Sequence, residues 1–168
     1  APTSSMQGSL FDMGGPADST PTPTGFRTLK IYPHLYQIVD SENDIALLCK
    51  KMLDQKEVCW DTETDNLDER LAELVGIAFS WKAGTAYYIP FPEKREGQQA
   101  RIEILRPFFE STEVGSVGQN LKYDIGVLRK YRIEVRGSIF DTMLAHYLIN
   151  PDMRHNFDVL SETYLQHQ

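Results

Sequence analysis

The chain has 168 residues, a formal net charge of −7 at pH 7 and a hydrophobic content of 41%. That size and composition suit one globular domain with a sizeable core, and the acidic balance argues against broad, non-specific adhesion to nucleic acid. No run reaches the roughly 18 apolar residues of a membrane span, and no basic segment followed by an apolar core marks a secretory signal. No membrane partner is expected, and the cytoplasm is the expected compartment.

Residues 1–27 are rich in Pro, Ser, Thr and Gly and read as a flexible linker ahead of a folded part over residues 28–168. A helix is predicted from Ser41 to about Leu53. Ser41 and Asp44 have capping-box-like spacing, and Ile45, Leu48, Cys49 and Met52 share one stripe. Residues 57–63 read as a strand. Strands over 74–81 and 85–91 form a hairpin in which Gly84 suits the left-handed turn position. A helix over 98–109 buries Ile102, Leu105 and Phe109. A short strand, 114–117, leads into a helix running from Asn120 to about Arg132, with Leu121, Ile125 and Leu128 on its buried face. Residues 133–135 read as a fifth strand and 140–148 as a helix that stops before Asn150-Pro151, because the residue before proline avoids the helical region. Phe157, Leu160 and Tyr164 begin a last helix. This order of elements is α/β. Cys49 and Cys59 fit no metal spacing and read as buried thiols in a reducing compartment. His34 and His146 carry no assigned role, and His155 reads as a loop histidine.

The chemistry concentrates in the 57–63 strand. Side chains alternate along a strand, so Val58 and Trp60 face one side while Cys59, Asp61 and Glu63 face the other, with the last two roughly 6.6 Å apart. Two carboxylates on a partly buried face repel, and one of them becomes harder to ionise unless a cation sits between them. A hard divalent ion with oxygen ligands, Mg²⁺ or Mn²⁺, answers that repulsion; the plainer reading is a solvated strand end leading into an acidic turn. Asn120 and Asp124 lie four apart at a helix start with Tyr123 beside them. Asp124 is either a third carboxylate of the same site or a first-turn residue favoured by the helix dipole behind an Asn120 cap. Lys122, Arg129, Lys130, Arg132 and Arg136 form either a strand-binding patch or a solvated helix face.

These segments together resemble a known family. Asp61-Thr62-Glu63-Thr64-Asp65, followed by Leu67 and Asp68, is similar to the first motif of the proofreading 3′–5′ exonucleases of bacterial family A polymerases, the DNA polymerase I type. Val117-Gly118-Gln119-Asn120-Leu121-Lys122-Tyr123-Asp124 resembles the second motif. Phe140-Asp141-Thr142-Met143-Leu144 and Leu160-Ser161-Glu162-Thr163-Tyr164-Leu165 follow in the family's order. The resemblance implies a ribonuclease H-like fold, a mixed sheet flanked by helices, and two divalent metals, Mg²⁺ or Mn²⁺. It implies hydrolysis of single-stranded DNA from the 3′ end, in DNA replication and repair, within a longer polymerase chain. By motif match, Asp61 bridges both metals, Glu63 holds the one that carries the nucleophile, and Asp124 serves the other directly or through water. Thr64, Gln119, Asn120 and Tyr123 contact phosphate and sugar, and Leu67 packs against the terminal base.

The family's fourth carboxylate lies in a Tyr-x-x-x-Asp motif that these residues do not contain. The chain is therefore expected to be truncated at its C-terminus within the domain, and by itself to be nearly inactive. Gln7-Gly8-Ser9-Leu10-Phe11 resembles the Gln-x-x-Leu-Phe peptide that docks on the bacterial sliding clamp, which makes Gln7, Leu10 and Phe11 candidate clamp contacts. An RNA-processing exonuclease of the same superfamily is the nearest alternative. A non-catalytic spacer is another, disfavoured because Asp61, Glu63 and Asp124 are all present.

Overall fold

Alternation along one strand organises the architecture. In a computed structural model, which describes residues 33–167, β2 (Glu57–Thr64) buries Val58, Trp60 and Thr62 and exposes Cys59, Asp61 and Glu63. The apolar side receives α1 (Glu42–Leu53) and α2 (Arg95–Phe109), which also pack on each other. Trp60 meets Phe109 edge-on at 5.1 Å between ring centroids, and Phe79 meets Phe108 at 5.8 Å. Burying one such ring stabilises the fold by about 1.5–3 kcal/mol.

Around β2 the sheet is mixed. Its order is β1 (Leu35–Ile38), β4 (Thr85–Pro90), β3 (Leu74–Lys82), β2, β5 (Gly115–Gly118), β6 (Ile139–Asp141). The β2–β3–β4 meander is antiparallel, while β1 on β4, β5 on β2 and β6 on β5 are parallel. Helices α3 (Leu121–Lys130) and α4 (Thr142–Ile149) leave the ends of β5 and β6. One α-turn, α5 (Phe157–Leu160), and a π-turn over Ser161–Leu165 follow. This is the mixed sheet flanked by helices that the resemblance implied. The 1–27 segment and the Gln7, Leu10 and Phe11 motif lie outside the described residues.

Several expectations need correction. Residues 133–135 are not a strand. Arg132 takes a left-handed backbone, φ 60°, and the N–H groups of Arg132 and Ile133 bond to the carbonyls of Arg129 and Leu128 at 2.9 and 3.2 Å. That pattern is a Schellman cap, and the apolar Ile133 closes it by packing in the core with Leu128. The strand comes later, at Ile139–Asp141, so the helix predicted from Phe140 starts at Thr142. The sequence reading missed β1, whose four residues are all exposed at a sheet edge and carry no alternation. The last helix is only one turn before the π-turn. Helix α2 begins at Arg95, because its polar first turn adds no apolar periodicity; Pro107 sits within its last turn. Cys59 is exposed on the Asp61 face rather than buried, whereas Cys49 is buried as expected.

A buried phenol ties the far ends of three elements together. Tyr131, fully buried, accepts the Leu74 N–H at 2.9 Å. Its hydroxyl lies 2.7 Å from Gln98 Oε1 and 2.9 Å from Glu73 Oε2. Burial pushes its pKa up to about 12, and the Arg95 guanidinium lies 3.6 Å from its ring centre. The Tyr131→Phe variant leaves the Leu74 N–H without an acceptor in a dry site. It should lose about 1–3 kcal/mol of stability in urea denaturation, with little change in slope.

Candidate active site

The carboxylate strand ends in a bulge. Glu63 pairs with Gly76, but Thr64 pairs with Leu74, leaving Val75 as the extra residue of β3. A side chain at Gly76 would collide with the Tyr88 ring, whose hydroxyl lies 1.9 Å from the position of a Cβ there. In register, Asp61, Ala78 and Tyr88 form one cross-strand row and Glu63, Gly76 and Pro90 the next. The two carboxylates therefore look across a low floor of Ala78 and Gly76 towards an aromatic wall. Neither Tyr88 nor that floor was legible in the motifs.

On its other side β2 outruns β5. Their register ends at Cys59 opposite Val117, after which the chain turns into α3. The Thr62 N–H donates instead to Asp124 Oδ1 at 3.0 Å, and the Thr62 hydroxyl donates to the same oxygen at 2.5 Å. Asp124 is 2% exposed and Thr62 7%, so the side chain replaces a missing strand partner in a place where an unpaired amide is costly. Asp61 lies one residue away on the open face. Partial burial, then the charges of Asp124 and Glu63, push its carboxyl up to about 6. Burial also raises Asp124, against the two Thr62 bonds that favour its charged form.

The remaining motif residues divide. Thr64 and Tyr123 come together, their hydroxyl oxygens 2.5 Å apart and sharing one hydrogen bond, with the Asn66 carbonyl within reach of both. Gln119 is committed to the fold, donating to the His155 carbonyl at 2.6 Å and accepting from the Thr142 hydroxyl. Leu67, 96% exposed, stands clear on the β2–β3 connection. Asn120 is not a side-chain cap; it holds φ 62° and its amide caps nothing. Asp141 caps that helix instead, in addition to its own; an aspartate directly before an apolar helical run signals the second role but not the first. Of the basic residues, Lys130 is held by Glu73 at 3.3 Å and Arg136 by Glu134 at 2.8 Å, while Lys122 and Arg129 are exposed.

Among the described residues no three His, Cys, Asp or Glu side chains stand close enough together to hold one metal ion. The donor chemistry nevertheless fits a hard cation at the strand: Asp61 and Glu63 are exposed on one face, and Asp61 is disfavoured as an anion in the absence of a counter-charge.

A family profile described as 3′–5′ exonuclease matches residues 36–168. The chain belongs to that family. It is 33% identical over 141 residues to DNA polymerase I of Pseudomonas aeruginosa, an alignment that covers 79% of this chain and 15% of that polymerase. It thus spans a small part of such a relative's length. Among solved structures, the catalytic core of RRP6 from Trypanosoma brucei matches with a TM-score of 0.67 at 19% identity, covering 88% of this chain and 38% of that one. Brucella melitensis NrnC with bound Mg²⁺ matches at 0.58 and 19% identity, covering 80% and 62%. These likenesses establish the ribonuclease H-like fold.

The Asp124–Thr62 pairing is open to direct measurement. Thr62→Val keeps the shape and the backbone bond but deletes the hydroxyl donor to a buried carboxylate. A loss of about 1.5–3 kcal/mol in urea denaturation is expected; a neutral result would mean that the hydroxyl adds nothing to the backbone bond.

Proposed function

We propose that this domain removes nucleotides from the 3′ end of single-stranded DNA by phosphodiester hydrolysis, as the proofreading part of a DNA polymerase I-type chain. The observation that carries the reading is the pair Asp61 and Glu63, exposed on one strand face beside Asp124, in a chain of the 3′–5′ exonuclease family. A DNA substrate in a bacterium also fits a cytoplasmic location.

Asp61 and Glu63 would hold divalent cations, Mg²⁺ or Mn²⁺, with Asp124 contributing through water because its Oδ1 serves Thr62. When bound, such cations lower the pKa of a water molecule and stabilise charge on the leaving 3′ oxygen. The residues of the chain supply grip and orientation. The exposed Asn120 amide offers hydrogen bonds to sugar and phosphate, and the Thr64 and Tyr123 hydroxyls join it by exchanging the Asn66 carbonyl for the substrate. Gln119 supports them from behind, since its amide is occupied by His155 and Thr142. Leu67 offers an apolar surface to the terminal base. None of these groups reads base identity, so selection falls on ends that unpair cheaply.

Mn²⁺ binding, followed by water-proton relaxation, provides a test that does not depend on turnover. Asp61→Ala and Glu63→Ala should each weaken binding by about tenfold or more, since hard-cation affinity tracks ligand charge. In parallel, 5′-labelled single-stranded DNA in Mn²⁺ should shorten stepwise from its 3′ end with the wild-type chain and stay intact with Asp61→Ala. Equal Mn²⁺ affinity in wild type and both variants would overturn the assignment.

A further inference from the structure

Strands β5 and β6 run parallel and end level, with Gly118 opposite Asp141. Each passes the chain to a helix, so two helix starts with unpaired N–H groups open side by side. One carboxylate serves both. Asp141 accepts the N–H groups of Met143 at 2.9 Å and Leu144 at 3.2 Å, the ordinary cap of its own helix. It also accepts the N–H of Asn120 at 3.1 Å on Oδ1 and that of Leu121 at 2.8 Å on Oδ2, which caps the neighbouring helix. Asp141 as a residue is 9% exposed, so these bonds form largely out of water.

The arrangement relieves Asn120 of the task its position would ordinarily give it. A residue just before a helix usually takes an extended backbone and folds its side chain over the first turn. Asn120 does neither; it sits at φ 62°, ψ 40°, with no capping bond from its side chain. Asparagine tolerates that backbone better than other residues with a side chain but less readily than glycine, and the Asp141 bonds to Asn120 and Leu121 are placed to hold it. One turn further on, Asp124 reaches Thr62.

We infer that Asp141 is a positioning residue for the nuclease site. By capping α3 from β6, it fixes the left-handed turn at Asn120 and leaves the Asn120 amide exposed for the sugar–phosphate of the substrate. The inference rests on the function proposed above. The competing account is that Asp141 is a stabilising cap and nothing more.

Two substitutions separate the accounts. Asp141→Ser keeps a good cap for α4, but its short side chain does not span to α3. Asn120→Gly keeps the left-handed turn without strain and deletes the amide. Wild type, both single variants and the double variant are compared well below their melting temperatures. One readout is anisotropy of a fluorescent single-stranded oligonucleotide with a free 3′ end, in Ca²⁺. A second is hydrogen exchange at the Asn120 and Leu121 amides.

Asp141→Ser should speed exchange at both amides and weaken DNA binding roughly tenfold, the size of a lost charge-assisted bond. Asn120→Gly should weaken binding by a similar factor, and the double variant should bind no worse than Asn120→Gly, because Asp141 acts through Asn120. Unchanged DNA affinity in Asp141→Ser despite faster exchange would overturn the inference, as would single-variant losses that simply multiply in the double. If Asp141→Ser fails to fold, Asp141→Asn, which retains one acceptor oxygen, is measured in its place against the same criteria. Should wild type and Asp61→Ala bind Mn²⁺ alike, the nuclease reading itself falls; should they differ while Asp141→Ser binds DNA normally, only the positioning role falls.

Discussion

The contact between Asp124 and Thr62 is the constraint on which the site depends. A strand that outruns its neighbour must satisfy its free N–H groups, and β2 does so past Cys59 with a side chain from the following helix. This fixes where α3 begins relative to the sheet. It also buries Thr62 between two outward-facing carboxylates, so that Asp61 and Glu63 cannot turn inward without the whole strand changing face. The repulsion felt by Asp61 follows from the same geometry, since the carboxylate that secures the helix is also one of its charged neighbours.

The sequence made β2 legible because its pattern is local. Val58, Trp60 and Thr62 alternate with Cys59, Asp61 and Glu63, and a helix then covers only one face. The α1 cap was legible for a similar reason, with the Ser41 hydroxyl accepting the Asp44 N–H at 3.1 Å. What the sequence concealed was non-local. Ile133 looked like the start of a strand because it is apolar, and its apolarity instead closes a helix end. The edge strand β1 has no buried side to alternate against. Asn120 looked like a cap by position, whereas the cap comes from Asp141, 21 residues away. The elements from α1 to α3 and the carboxylate pair could be read residue by residue; the divided duties of Gln119, Asn120 and Asp141 required the parallel pairing of β5 with β6.

Charge shows the same division between local and long-range roles. The chain carries a net −7, and part of its positive charge is spent within the fold. Lys130 and Arg95 converge on Glu73, and Arg106 is paired with Glu103 and Glu110. Exposed pairs of this kind contribute little individually. The Glu73 group, however, abuts the buried Tyr131 hydroxyl and so borders a dry region. Of the basic stretch in the sequence, Lys130 secures α3 to Glu73 at the start of β3 and Arg136 pairs locally with Glu134, while Lys122, Arg129 and Arg132 stay exposed.

Trp60 gives the carboxylate strand an optical signature. Its ring is 1% exposed against Phe109, and among the described residues its indole nitrogen is the one buried side-chain polar atom without a hydrogen-bond partner. An indole in so apolar a setting emits at short wavelength. The chain's other tryptophan, Trp81, stacks on Tyr87 at 4.9 Å with its plane tilted by 14°, in a half-buried setting of different polarity. The two emissions therefore separate by colour. Because the Trp60 carbonyl also abuts Gly118 at the root of α3, the blue component of the intrinsic fluorescence reports on the junction that holds Asp61 and Asp124 together, with no label attached.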